Sequence, residues 1–184
     1  MMFKENINAR DIAEKFVQGV LKEMDGAKPP CIGGNKTKWT RAVKKVLGRL
    51  AEAPIYAPYP WLLDFVWWSR KNDTEQMVLA VESEMDKRVR TQIEPDFQKL
   101  SSFKCPLKLL VFSANVEDTK KMAEDYLRKF VQHIDGEEYL LVGFVKPYPR
   151  CLWFRVSGNG RLEPNAVKFV EIELSKAAPA GGVL

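Results

Sequence analysis

The chain has 184 residues, of which 46% are hydrophobic and 29% are charged, and its formal net charge is +5. This length suits one domain with a hydrophobic core. The composition is that of an ordinary soluble globular protein, which excludes an extensively disordered chain. The mild positive charge is compatible with a polyanionic partner. Three widely spaced cysteines without a C-x-x-C pair exclude a zinc ribbon and a thioredoxin-like motif. The charged N-terminal segment excludes a signal peptide, so we expect a soluble cytoplasmic protein without membrane contact.

The first half of the chain predicts two helices followed by two strands. Hydrophobic residues at every fourth position predict a helix over residues 8–25, and a second amphipathic helix is expected over about 37–52. A proline-rich segment then ends the helical pattern. Nearly continuous apolar runs at 61–68 and 77–84 predict strands that are covered on both faces.

The second half alternates strands and helices. A helix is expected from about Pro95 to Ser102, because proline is favoured at the first helical position. The remaining predicted elements are an amphipathic helix at 115–133 and four strands at 106–114, 139–145, 151–156 and 167–174. Strands with interleaved helices predict a three-layer α/β or α+β core with a mixed central sheet. We expect one domain over residues 1–176 and a disordered tail at 177–184.

Acidic residues lie inside the apolar strands, where a carboxylate without a partner is costly. Asp64 is flanked by Leu63 and Phe65. Glu82 and Glu84 end the next run two residues apart, so their side chains project from one face. If the two strands are neighbours, Asp64 and Glu82 converge on a site that suits Mg²⁺ or Mn²⁺. Alternatively, Asp64 meets an arginine or a loop amide, and the two glutamates merely mark a strand leaving the core.

Lys99 is the candidate cation for these carboxylates. On the predicted helix, Phe97 and Leu100 form an inward stripe with Lys99 at its border. The lysine stem can then lie along the core while its ammonium reaches the acids. The alternative is a surface ion pair with Asp96. His133, the only histidine, is expected to cap a helix end.

The runs LLDFVWW, VLAVESE, DFQKL and PLKLLVF, in this order, resemble the PD-(D/E)XK (restriction-endonuclease-like) nuclease superfamily over about residues 37–145. The resemblance implies an αβββαβ core with a mixed central sheet, followed here by a β-rich C-terminal extension. Asp64 aligns with the first acid of the motif and Glu82 with the second. Glu84 stands where the motif lysine is expected, and Lys99 matches members in which that lysine is displaced to the following helix.

The resemblance implies a metal-dependent phosphodiesterase of the endonuclease type, acting on nucleic acid with little sequence specificity, and DNA is the expected substrate. Mg²⁺ (or Mn²⁺) would be held by Asp64 and Glu82, with Glu84 as a further ligand. The metal would lower the pKa of bound water and neutralise charge on the scissile phosphate. Lys99 would orient the water or stabilise the transition state.

Two other functions are open. A catalytically decayed member of the superfamily, its site lost at Glu84, would act as a nucleic-acid or protein binding module. An unrelated α/β domain would use its acids to hold a structural cation or a protein partner. A homodimer is compatible with the sequence in each case.

Basic residues supply the expected contacts to nucleic-acid phosphates. They lie on one face of the second helix and directly after the candidate metal ligands: Lys38, Arg41, Lys45, Lys87, Arg88 and Arg90. Contacts of this kind position the backbone of the nucleic acid without reading its sequence. For the helix, a solvated outer face is the alternative interpretation.

Overall fold

The structure, a computed structural model, describes residues 9–24, 27–30, 33–51, 63–71, 74–130, 132–145, 149–156 and 167–172. The helices are α1 (Ala9–Glu23), α2 (Lys36–Leu50), α3 (Glu94–Ser101) and α4 (Val116–Leu127), and a π-helical turn, Val89–Ile93, leads into α3. The strands are β1 (Phe65–Lys71), β2 (Thr74–Glu84), β3 (Leu107–Phe112), β4 (Glu138–Gly143), β5 (Arg150–Val156) and β6 (Val167–Ile172). The predicted tail at 177–184 lies outside the described residues.

The six strands form one mixed sheet in the order β1-β2-β3-β4-β5-β6. β2, β3 and β4 run parallel to one another, and β1, β5 and β6 pair antiparallel with their neighbours. Helix α3 connects β2 to β3 and α4 connects β3 to β4, as parallel neighbours require a crossover. The predicted α+β fold with a mixed sheet is confirmed.

Two hydrophobic cores lie on opposite faces of this sheet. One core joins α1 and α2 to side chains such as Leu79, Val81 and Leu109. The other joins α3 and α4 to the alternate side chains of the same strands, such as Ala80 and Leu110. The alternation follows from the two-residue repeat of a strand, and it makes a helix–sheet–helix arrangement of three layers.

Local sequence explains where the helices begin. The Asn35 side chain accepts a hydrogen bond of 3.0 Å from the backbone N–H of Lys38 at the start of α2. Asn115 does the same for Asp118 N–H at the start of α4, also at 3.0 Å. Both are N-caps that satisfy donors left free in the first helical turn. Pro95 lies in the first turn of α3, as the sequence predicts. None of the helices in the described ranges is long and apolar enough to cross a membrane.

Strand β1 begins at Phe65, so the prediction that Asp64 lies in the middle of a strand is wrong. The Asp64 side chain accepts a hydrogen bond of 2.9 Å from the backbone N–H of Ser83 on β2. The carboxylate thus takes the place of a strand carbonyl, and the β1–β2 ladder ends at the pair Phe65 and Val81. Between α2 and α3 the described residues contain two strands, while residues 52–62 lie outside them.

A charged cluster that the sequence did not indicate is buried where β3 and β4 begin. Glu137 accepts hydrogen bonds from Lys108, from His133 and from the Tyr139 hydroxyl, the last at 2.9 Å. Nε2 of His133 contacts the Leu127 carbonyl oxygen at 3.1 Å, so the histidine caps the end of α4 as expected. Helix α4 ends at Leu127, six residues before the predicted end at His133. The histidine lies in the segment that follows the helix and contacts its last residue from there.

Candidate functional site

The candidate acids lie at neighbouring positions at the carboxyl-terminal end of β2. Phe65 is opposite Val81 in the antiparallel pair of β1 and β2, so Asp64 flanks Glu82. Glu82 projects to the α3 side of the sheet, like Ala80 two residues before it. The bond from Ser83 N–H to Asp64 Oδ2 fixes the first acid to the second strand.

Glu82 is almost completely buried, with 3% of its surface exposed. Its Oε1 lies 2.8 Å from Nζ of Lys99. Burial raises the pKa of Glu82 to about 8; the ion pair with Lys99 opposes this rise, and the negative charges of Asp96 and Asp64 add to it. Near neutral pH this carboxyl is therefore poised to gain or lose a proton.

Lys99 reaches Glu82 because α3 is anchored by the fully buried side chains of Phe97 and Leu100 on either side of it. Its ammonium also lies 3.2 Å from Asp96 Oδ1, one helical turn earlier. Burial lowers the pKa of Lys99, but the ion pairs with Glu82 and Asp96 outweigh it and leave the pKa above its ordinary value. Lys99 therefore stays a cation between two acids, and both sequence interpretations of this lysine describe real contacts.

Asp64 forms an ion pair with a lysine of α2, in the helical layer on the other face of the sheet. Nζ of Lys44, on α2, lies 2.9 Å from Asp64 Oδ1. Both side chains remain open to solvent, with 47% of Lys44 and 28% of Asp64 exposed. The sequence did not single out Lys44 as a partner of Asp64, because the contact depends on how α2 packs across the sheet.

Glu84 and Asp86 continue the row of acids beyond Glu82. Burial raises the pKa of Glu84, and its Oε1 accepts a hydrogen bond of 2.7 Å from the backbone N–H of Asp86. Hydrogen bonds from Arg88 and from Lys36, the latter at 2.6 Å, hold the pKa of Asp86 well below its usual range. Sequence reasoning missed Asp86, although it repeats the two-residue spacing of the two glutamates.

The predicted nucleic-acid contacts divide into two groups. Lys38, Arg41 and Lys87 have exposed side chains. The other three are held in ion pairs: Lys45 with Glu23 at 2.7 Å, Arg88 with Asp86 at 2.9 Å and Arg90 with Glu94 at 3.0 Å. The first group is free to contact phosphates without first breaking a described ion pair.

Asp64 and Glu82 are the residues that would hold a divalent cation at this site. Mg²⁺ in proteins is commonly held by one or two carboxylates and keeps several waters. Glu82 Oε1 faces the ammonium of Lys99 at 2.8 Å, so a divalent cation at this oxygen would compete with that lysine. The described part of the chain contains no group of three or more His, Cys, Asp or Glu side chains arranged to hold a metal ion.

Comparison with protein-family models, with curated proteins and with solved structures finds no match to this chain. The similarity to the PD-(D/E)XK superfamily stays a prediction from the residues and their order.

Proposed function

We propose that the protein is a metal-dependent phosphodiesterase that cleaves nucleic acid, built on a PD-(D/E)XK-like αβββαβ core. The observation that carries the proposal is the 2.8 Å ion pair between Lys99 and the buried Glu82, next to Asp64 at the end of β2. Two neighbouring acids can hold a metal ion that activates water, and a cation on the following helix can stabilise charge that develops on a phosphate.

In this proposal Asp64 and Glu82 hold Mg²⁺ or Mn²⁺, and Glu84 is the third candidate ligand. The bound metal supplies charge neutralisation at the scissile phosphate and activation of water. Glu82 must lose its proton before it can act as a ligand. Lys99, already between two acids, donates hydrogen bonds to the attacking water or to a non-bridging phosphate oxygen.

The exposed basic residues support nucleic acid as the substrate class. Lys38 and Arg41 on α2, together with Lys87 after β2, are exposed and would contact phosphates along the nucleic-acid backbone. Contacts of this kind carry no sequence information, so we infer little sequence specificity, with DNA as the expected substrate.

A specific observation favours one alternative, a binding module that no longer cleaves. Asp64 and Glu82 are each paired with a lysine of the same chain, and Glu84 stands in place of the motif lysine. Ion pairs between side chains of one chain, partly buried ones included, also occur without any catalytic role. The alternative keeps the nucleic-acid contacts and lacks hydrolysis.

A cleavage assay separates the two functions. Wild-type protein is incubated with supercoiled, linear and single-stranded DNA and with RNA, in Mg²⁺ or Mn²⁺ and in EDTA. The proposal predicts metal-dependent cutting that Asp64→Ala abolishes. Glu14→Ala, which removes an acid paired with Arg10 on α1 at 3.0 Å, is the matched control and should cut like wild type. Salt-sensitive binding without cutting on any substrate would favour the binding module.

A further inference from the structure

The two oxygens of Asp64 have different partners. Oδ2 accepts the backbone N–H of Ser83, which belongs to the sheet and cannot leave without breaking it. Oδ1 faces the ammonium of Lys44 at 2.9 Å. Within the described part of the chain, Asp64 is the only ion-pair partner of Lys44. The oxygen most available to an incoming cation is therefore the one that Lys44 occupies.

Lys44 and Lys99 differ in how firmly they are held. Lys99 is paired with a buried glutamate and with Asp96, and 38% of its side chain is exposed. Lys44 has one partly exposed partner, and 47% of its side chain is exposed. A divalent cation at Asp64 carries twice the charge of an ammonium and repels Lys44 at close range. Of the two lysines, Lys44 is therefore the one that a divalent cation would displace from its carboxylate partner.

A displaced Lys44 would meet other basic residues. Arg41 lies three residues before it on α2 and Lys38 three residues before that, so the three side chains follow one another along the helix surface. Both Arg41 and Lys38 are exposed. Three ammonium and guanidinium groups in a row repel one another unless an anion lies among them, and a nucleic-acid phosphate is such an anion.

We propose that Lys44 is a substrate-binding residue released by the metal: it neutralises Asp64 in the metal-free protein, and a divalent cation at Asp64 frees it to contact a backbone phosphate of the substrate. This inference rests on the proposed function. It couples the two ligands, because the cation and the nucleic acid each favour the released position of Lys44.

The test uses the full chain and two measurements. Mn²⁺ affinity is measured by calorimetry without nucleic acid, and the affinity for a short fluorescent DNA duplex is measured by anisotropy in EDTA and in Ca²⁺. Lys44→Gln removes the competing charge, so its Mn²⁺ affinity should rise about two- to five-fold, as expected for an exposed ion pair. Wild-type protein should bind DNA more tightly in Ca²⁺ than in EDTA, and Lys44→Gln should lose part of that gain.

Two further variants make the result specific. Lys121→Gln removes an exposed lysine of α4 and should match wild type in both measurements. Lys44→Arg keeps the charge and should restore the gain in DNA affinity. Unchanged Mn²⁺ affinity in Lys44→Gln, or a full gain in DNA affinity, would overturn the role of Lys44 and leave the proposed function standing. Wild-type protein that binds no Mn²⁺ would overturn both.

Discussion

Glu82 combines burial with an acid–base equilibrium near neutral pH. Its pKa in the folded protein is raised from 4.5 to about 8, chiefly by burial. The folded state then binds more protons than the unfolded state between these values. The contribution of Glu82 to stability is therefore complete below about pH 4.5 and is lost as the pH rises through about 8.

This contribution can be isolated by comparing wild type with Glu82→Gln, which keeps the shape and cannot ionise. In urea unfolding with EDTA present, the stability of wild type relative to Glu82→Gln should fall by roughly 1–3 kcal/mol between about pH 5 and pH 9. A difference that is flat with pH would mean that Glu82 has an ordinary pKa.

Lys99 gives a second prediction for a single residue. Lys99→Ala removes the cation that opposes the raised pKa of Glu82, and with it the proposed donor to the reacting phosphate. We expect cleavage to slow by about a hundred-fold or more and its pH profile to move to higher pH. Lys104→Ala, an exposed lysine whose Nζ donates to the Gln132 carbonyl, is the control. Equal rates for Lys99→Ala and wild type would remove Lys99 from the mechanism.

Much of the site could be predicted from residue types alone. Asp64 and Glu82 were identifiable because a charged residue in an apolar run needs a partner, and Lys99 because of its place at the edge of a helical stripe. Lys44 could not be identified as a partner, since 20 positions separate it from Asp64 and their contact depends on tertiary packing. Asp86 gave a weak signal through its spacing from Glu84.

At the scale of secondary-structure elements, the buried charged cluster around Glu137 joins β3, β4 and the segment after α4. Burial raises the pKa of Glu137, but hydrogen bonds from His133, Lys108 and Tyr139 outweigh it and hold the pKa below 4.5. This stabilisation is present above pH 4.5 and is lost as the pH falls below it. The cluster therefore ties three elements together most firmly near neutral pH.

Removing one member of this cluster should be costly. Lys108→Ala leaves the Glu137 carboxylate buried without its ammonium partner, and both side chains are 1% exposed. We expect a loss of about 3–5 kcal/mol in the free energy of unfolding, measured with urea. The double variant Lys108→Met with Glu137→Gln removes both charges and should lose clearly less. Equal losses in the two variants would show that the charge pair itself is not the cause.

Element boundaries were less predictable than the elements themselves. The apolar run that includes Trp61 suggested a strand from 61 to 68, but β1 begins at Phe65 because Asp64 accepts a backbone N–H with its side chain. The periodicity of α4 continued to His133, whereas the helix ends at Leu127. Single hydrogen bonds decide such ends, and a hydrophobic pattern does not record them.

At the scale of the whole molecule, the alternation of helices with apolar strands was enough to predict a mixed sheet covered on both faces. The parallel strand pairings were not predictable, because the pairing of β2 with β3 joins residues as far apart in the chain as Leu79 and Leu107. The sheet also positions the residues of the candidate site. It brings Lys44 from one helical layer and Lys99 from the other to the same end of β2, next to the two acids.

The central claim is that the protein cleaves nucleic acid with a metal ion held by Glu82 and Asp64. The most direct measurement compares the Mg²⁺-dependent cleavage rates of Glu82→Gln and wild type. The amide keeps the shape of the buried side chain and removes the negative charge that a cation needs. We predict metal-dependent cutting by wild type and a rate at least about a hundred-fold lower for folded Glu82→Gln. Equal cutting by the two proteins, or no cutting by wild type in any divalent metal, would contradict the claim.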